Sequence, residues 1–130
     1  MVLNICVITP ESIFLNKSVE EVILPTNTGQ MGVLTNHAPL ITALDIGVML
    51  IRNAKTWSSF VLMGGFALIK SNQITVLVNE AEPEDQIDVS EAEKQYLIAK
   101  QNFETAENAK QKVELNFIYK RALARLQATK

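Results

Sequence analysis

Over the first 86 residues, apolar and polar positions alternate in short runs, each closed by a turn signal. Leu3–Ile8 stops at Thr9-Pro10, and Ile13–Asn16 is followed by Val19–Leu24, which ends at Pro25. Val33-Leu34 comes after the glycine-bearing stretch Asn27–Gly32. Val48–Arg52, Trp57–Met63, Phe66–Lys70 and Ile74–Val78 complete the set, with Asn53-Ala54-Lys55 and Ser71-Asn72-Gln73 as turns. Val, Ile, Leu and Thr dominate these runs, as half-buried pleated surfaces favour. Short strands about ten residues apart predict a sandwich or flattened barrel rather than βαβ units.

After Pro83 the period changes. Ser90-Glu91-Ala92-Glu93 matches a capping box with Ser90 at the cap. Ala92, Tyr96, Ala99, Phe103 and Ala106 then recur at steps of four and three, as on one face of a helix. Asn108-Ala109-Lys110 is a break. A second stripe follows in Leu115, Ile118, Ala122 and Leu126, broadened by Val113 and Phe117. Two such helices joined by a short turn predict an antiparallel hairpin. Both stripes are narrow and alanine-rich, so the hairpin is expected to bury little and to detach readily. The fold class is therefore α+β: an N-terminal antiparallel β-sandwich or flattened barrel over residues 1–86, then a C-terminal helical hairpin over 87–130.

Charge divides the chain at the same place. Residues 1–86 carry four bases against eight acids, a balance of −4, and residues 87–130 carry eight against six, a balance of +2. The last sixteen residues hold Lys120, Arg121, Arg125 and Lys130 and no acid. A basic tail on an acidic body suits an acidic partner surface, and a pI near 5.4 speaks against a nucleic-acid binder. Phe60–Ile69 is the longest run without a polar side chain, about half a membrane span. Cys6 has no possible internal disulfide partner and reads as a small core residue in a reducing compartment. The N-terminus reads directly as a strand, with no leader segment expected.

Few residues offer chemistry. His37, the sole histidine, lies in Thr35-Asn36-His37-Ala38-Pro39 and reads as a loop residue bonded to nearby backbone. No nucleophile–base or metal-ligand spacing accompanies it. Glu80, Glu82, Glu84 and Asp85 lack the pattern of a calcium loop and read as a solvated bend. Gly29, Gly32 and Gly64-Gly65 match no phosphate loop, and the glycine pair reads as a strand bend or close backbone approach. Arg121 and Arg125 share a helix face, which the helix dipole favours near a C-terminus as a plain solvated surface. The residues alone indicate a binding or adapter subunit.

Several segments, taken together, resemble the epsilon-subunit family of F-type ATP synthases. They are Glu21–Leu40 (EVILPTNTGQMGVLTNHAPL), Leu62–Ala67 (LMGGFA), Ile74–Ala81 (ITVLVNEA) and Asn116–Leu126 (NFIYKRALARL). They cover nearly the whole chain in order, and Met1–Pro10 and Leu62–Glu82 are closest to the plastid and cyanobacterial branch.

The resemblance implies a non-catalytic central-stalk subunit of the proton-translocating enzyme. Its sandwich would meet the gamma subunit and the c-ring and help couple rotation to catalysis. Gly29, Gln30, Met31 and His37 are then candidates for the c-ring-facing edge, although the family often has an acid where this chain has Gln30. The hairpin would restrain ATP hydrolysis, with Lys120, Arg121 and Arg125 pairing with acids of the beta subunits. Membrane contact would come only through the complex, on the stromal side of plastid thylakoids or the cytoplasmic face of cyanobacterial ones. Some relatives bind ATP at the hairpin through an Ile/Leu-Asp-x-x-Arg-Ala motif. Here the stretch is Ile87-Asp88-Val89-Ser90-Glu91-Ala92, and Glu91 replaces a phosphate-pairing cation by an anion. No cofactor is expected, and ATP binding should be weak or absent. A nucleotide sensor is the second reading and a free-standing enzyme the third.

Overall fold

The computed structural model describes residues 2–129. Among them eight strands come first: β1 (Leu3–Ile8), β2 (Ile13–Val19), β3 (Glu21–Thr26), β4 (Gly29–Val33), β5 (Leu40–Asn53), β6 (Thr56–Lys70), β7 (Gln73–Val78) and β8 (Ala81–Pro83). A 3-10 turn over Glu84–Gln86 leads into α1 (Val89–Glu104), and α2 (Ala109–Ala128) packs beside it. The expected order, strands and then a helical hairpin, is the one adopted.

The strands hydrogen-bond in the order β2-β1-β7-β6-β5-β3-β4, with β8 on β6. Every pairing is antiparallel except β1 with β7, a parallel pair that the antiparallel expectation did not include. The sheet folds over onto itself: Phe14 of β2, at one end of the order, meets Phe60 of β6 edge-on at 6.0 Å. Between the layers lie Leu3, Ile5, Val22, Leu24, Met49 and Leu62, all fully buried. About 25 cal/mol per Å² of apolar surface removed from water makes this dry core the main source of stability.

Several element boundaries differ from the expectation. Gly29–Val33 is a strand paired with β3, not a turn before Val33-Leu34. Trp57–Met63 and Phe66–Lys70 are one strand, and β5 begins at Leu40, eight residues before Val48. Part of the stretch expected to be a bend before α1 is a short strand, since Ala81–Pro83 pairs with Leu62–Phe60 of β6. The turns at Ala54-Lys55 and Ser71-Asn72 use two residues each, all four with positive φ, which matches the twist of a tight hairpin.

The long strands β5 and β6 bend together. Leu44 pairs with Gly65 and Ile46 with Met63, leaving Asp45 and Gly64 opposite each other without a ladder pair. Before the bend of β6, Phe60 and Leu62 face the core; beyond it, Ala67 and Ile69 do. Gly64 (φ +76°) and Gly65 (φ +152°) permit this change of parity. A Cβ on Gly65 would sit 2.0 Å from the Leu77 carbonyl oxygen, so the close-approach reading holds.

The helices also depart in detail. Asp88, not Ser90, caps α1, its carboxylate accepting from the Glu91 N–H at 3.0 Å. Asn108 caps α2 by accepting from the Gln111 N–H. The predicted second stripe is only partly buried: Ala122 and Leu126 are covered, whereas Val113, Phe117 and Ile118 are more than half exposed. Ala124 and Ala128 are buried in their place, because the last turns of α2 lie against the sheet as well as α1.

Candidate functional site

Small side chains bring α2 down onto the sheet. Ala124 and Ala128, one turn apart on one helix face, lie buried with Ala92, Ile87 and Leu126 against Val61 and Met63 of β6. Ile46, Val48 and Tyr96 pack at the margin. Lys120 stands one turn before Ala124, so its ammonium lies over the β5 bend and approaches Asp45 Oδ2 at 3.1 Å. Arg121 donates from Nη2 to Glu80 Oε1 at 3.1 Å, and Arg125 from Nε to Glu82 Oε1 at 2.9 Å. Arg125 also donates from Nη1 to Gln95 Oε1 at 2.6 Å, joining α1, α2 and β8 through one guanidinium.

The three candidate cations are thus brought together, paired but with Lys120 and Arg121 still open to solvent. Each is paired with an acid of the sandwich between 41 and 75 positions distant in sequence. Glu82 correspondingly leaves the solvated bend expected of it, whereas Glu80 stays exposed there although paired. Glu84 accepts from the Ser59 N–H, and no group of three His, Cys, Asp or Glu disposed to hold a metal occurs among the described residues.

Aromatic rings hold the hairpin closed. Tyr119 stacks on Phe103 at 5.6 Å and lies tilted beside Tyr96 at 5.8 Å. A hydrogen bond with Tyr96, helped by desolvation and by the charge of Glu104, holds the Tyr119 hydroxyl above its ordinary pKa. The groove between the helices is lined by Gln95, Ile98, Ala99, Asn102, Ile118 and Arg121. Glu91 lies at the start of α1, its side chain exposed.

The proposed edge residues lie on the β3–β4 hairpin and in the loop that follows β4. Gly29 and Gln30 are exposed at the β3–β4 hairpin, where the Thr26 hydroxyl donates to the Gly29 carbonyl at 2.6 Å. Met31 pairs with Leu24 and packs on the core, so it does not face outward with them. His37 sits in the loop between β4 and β5, its Nδ1 2.6 Å from the Ala38 carbonyl. That loop is pinned by the Asn36 N–H donating to Asn72 Oδ1 at 2.6 Å. The neutral side chains Asn27, Thr28 and Gln30 make the hairpin tip a polar, uncharged surface.

A further surface escaped sequence reasoning. Beyond the bend, Ile41 pairs with Leu68 and Phe66 with Leu77, two cross-strand pairs on the outer side of the sheet. These four are 71%, 45%, 59% and 51% exposed, respectively. A signal was present: Phe60–Ile69 has no polar residue on either face, the mark of a strand covered on both sides. The hairpin covers Val61 and Met63 before the bend, while Phe66 and Leu68 beyond it stay bare. Bare apolar patches of this kind mark interaction surfaces.

Residues 2–84 match the family model described as ATP synthase, Delta/Epsilon chain, beta-sandwich domain. The chain belongs to the ATP synthase delta/epsilon family. Within that family it is 67% identical over 127 residues to the chloroplastic ATP synthase epsilon chain of Oltmannsiellopsis viridis, covering 98% of this chain and 97% of that one. It is 58% identical over 130 residues to the corresponding chain of Chlorella vulgaris, covering 100% and 97%. Among solved structures it superposes on a chain of the Euglena gracilis mitochondrial ATP synthase OSCP/F1/c-ring assembly with a TM-score of 0.85. That match covers 98% of this chain and 80% of the other at 20% identity, a likeness of fold. A chain of the Tetrahymena thermophila mitochondrial ATP synthase central stalk and c-ring gives 0.71, covering 98% and 96% at 15% identity.

Proposed function

We propose that this chain is a non-catalytic central-stalk subunit of a plastid ATP synthase, coupling rotation through its sandwich and restraining ATP hydrolysis through its hairpin. The observation that carries the reading is the near full-length similarity to chloroplastic epsilon chains, sandwich and hairpin together. Residues 1–86 form the coupling unit and 87–130 the regulatory one. The bare pairs Ile41–Leu68 and Phe66–Leu77 seat the sandwich on the gamma subunit, because a strand apolar on both faces has the pattern of one covered on both. The polar tip Asn27–Gln30 meets the c-ring loops by neutral hydrogen bonds, and His37 shapes its own loop. The basic face of α2 pairs with acids on the beta subunits. Single exposed ion pairs are weak, about 0.2–1 kcal/mol each, so the restraint requires Lys120, Arg121 and Arg125 acting together.

On this reading the chain is peripheral on the stromal side of the thylakoid, and among the described residues no helix is long and apolar enough to cross a membrane. It has no active site of its own and binds ATP weakly or not at all. The test is the hydrolysis rate of an epsilon-depleted catalytic head with the chain added in excess. Saturable slowing, lost on truncation near Pro83, supports the regulatory role. Equal slowing by the truncated chain overturns the assignment to the hairpin, and no binding to gamma overturns the coupling role.

A further inference from the structure

The tight turn at Ser71-Asn72 fixes which way the backbone of β5 points. In a two-residue hairpin the flanking residues, here Lys70 and Gln73, exchange both ladder bonds. Successive residues of a strand direct their polar groups to opposite sides. Lys70, Leu68 and Phe66 therefore bond to β7, and Ile69, Ala67 and Gly65 to β5. Their partners Leu40, Thr42 and Leu44 direct N–H and C=O groups to β6. Ile41 and Ala43 direct theirs to the other side, where β3 joins only at Leu44, opposite Thr26. Among the described residues the only side chain bonded there is that of Thr42, whose hydroxyl lies 3.4 Å from the Ala43 carbonyl.

Open strand edges invite pairing with another chain, and the other edges of this sheet carry guards. β2 has Lys17 paired with the buried Ile5, on the core-facing side, and a register shift at Val7/Ile8 of its neighbour. β8 is three residues long and holds Glu82 and Pro83, and β4 is five residues long with Gly29 and Gly32. Leu40–Leu44 has no charge, proline or glycine. Ile41 also belongs to the bare pair with Leu68, so edge and patch form one continuous surface. We propose that Leu40–Leu44 accepts an extended segment of the gamma subunit as an added strand. That segment bonds to the Ile41 and Ala43 backbone and lays apolar side chains, at alternate positions, beside Ile41 and Leu68. The proposal rests on the reading of the patch given above and states how that seat is made: backbone bonds supply affinity and fix the register.

The experiment compares three full-length chains: the wild type, Ala43→Pro, which removes one open N–H as edge strands tolerate, and Ala43→Ser, which keeps it. Each is titrated by calorimetry into an epsilon-depleted catalytic head that retains gamma. Ala43→Pro should bind about tenfold or more weakly, because a carbonyl of the partner strand loses its donor. Ala43→Ser should bind as the wild type does, and the urea midpoints of all three should agree. Site-resolved hydrogen exchange of the wild type is a second reading that needs no variant and decides if the proline disturbs folding. The Ile41 and Ala43 amides should exchange quickly in the isolated chain and about 100-fold or more slowly in the complex. Wild-type affinity in a folded Ala43→Pro, or fast Ile41 and Ala43 amides in the complex, overturns the added strand. Failure of the parent reading looks different: Phe66→Ser/Leu68→Ser then binds gamma as tightly as the wild type. A wild-type dimer in sedimentation that Ala43→Pro makes monomeric overturns gamma as the occupant in favour of a second copy.

Discussion

Arg125 donates to Glu82 at 2.9 Å with both side chains about four-fifths buried, the least exposed of the ion pairs among the described residues. The same guanidinium holds Gln95, so β8 and both helices converge on one side chain. Charge-assisted bonds of this kind are worth about 1.5–3 kcal/mol when shielded from solvent. Arg125→Ala should therefore loosen the whole hairpin while leaving the sandwich intact. Hydrogen exchange would read this as a gain of about tenfold or more confined to residues 89–128. Combined with Glu82→Gln, the effect should be clearly less than additive.

Phe66 and Leu68 are about half exposed and make cross-strand pairs on the outer face, so serine removes only part of their packing in the isolated chain. Phe66→Ser/Leu68→Ser should lower folding stability by about 1 kcal/mol per site. Binding to gamma should fall by about 30-fold or more, the scale of a lost central anchor. Urea unfolding and titration calorimetry with gamma read the two effects separately. A large stability loss with unchanged binding would remove the patch from the interface.

Gly65 has no room for a side chain. Its φ of +152° and the 2.0 Å approach to the Leu77 carbonyl mean that Gly65→Ala must displace backbone in β6 or β7. A loss of roughly 3–5 kcal/mol is expected in urea unfolding. Gly29→Ala has open space around the new methyl and should cost less than half as much, from its positive φ alone.

On the proposed reading, Glu91 keeps ATP from binding tightly to the hairpin. Calorimetric titration of the wild type with ATP should give no saturable heat in the micromolar range. Glu91→Arg restores the cation that the motif calls for, and should give measurable binding or at least a clear gain in affinity. Tight binding by the wild type would overturn the reading.

Tyr119 makes the hairpin sensitive to alkali. Its folded-state pKa lies above its ordinary value of about 10, through the Tyr96 hydrogen bond first. A raised folded value means that the stabilisation is complete below the unfolded value and is lost as pH rises through the folded one. Phenolate absorbance should show one late-titrating tyrosine that Tyr96→Phe brings back toward the ordinary value. The helical circular-dichroism signal should fall over the same pH interval.

The fold is legible from local pattern, and the pairing that shapes its surface is not. β1 and β7 alternate cleanly in Leu3–Ile8 and Gln73–Val78, so both can be read directly. Leu40–Gly47 cannot, because the bend reverses which residues face inward and breaks any single period. Asp88 displaces Ser90 as a cap because Asp88-Val89-Ser90-Glu91 has the same spacing as the motif beginning at Ser90, and its carboxylate is favoured at a helix N-terminus. The basic face is visible as composition, but its partners lie 41 to 75 positions away, beyond the reach of periodicity. Met31, grouped with Gln30 at the ring-facing edge by the resemblance, packs on the core because a strand, not a turn, runs through Gly29–Val33.

β5 and β6 are fourteen and fifteen residues long and stay paired from Leu40–Ile69 to Asn53–Thr56. One end of this ribbon carries the bare patch, the middle carries the ground on which α2 rests, and no loop intervenes. At about 3.3 Å per residue it is a beam some 45 Å long. A load applied at Ile41 and Leu68 would therefore reach Ile46 and Met63 along paired backbone interrupted only opposite Asp45 and Gly64. On the proposed reading, torque taken up at one end would be felt under the helix at the other.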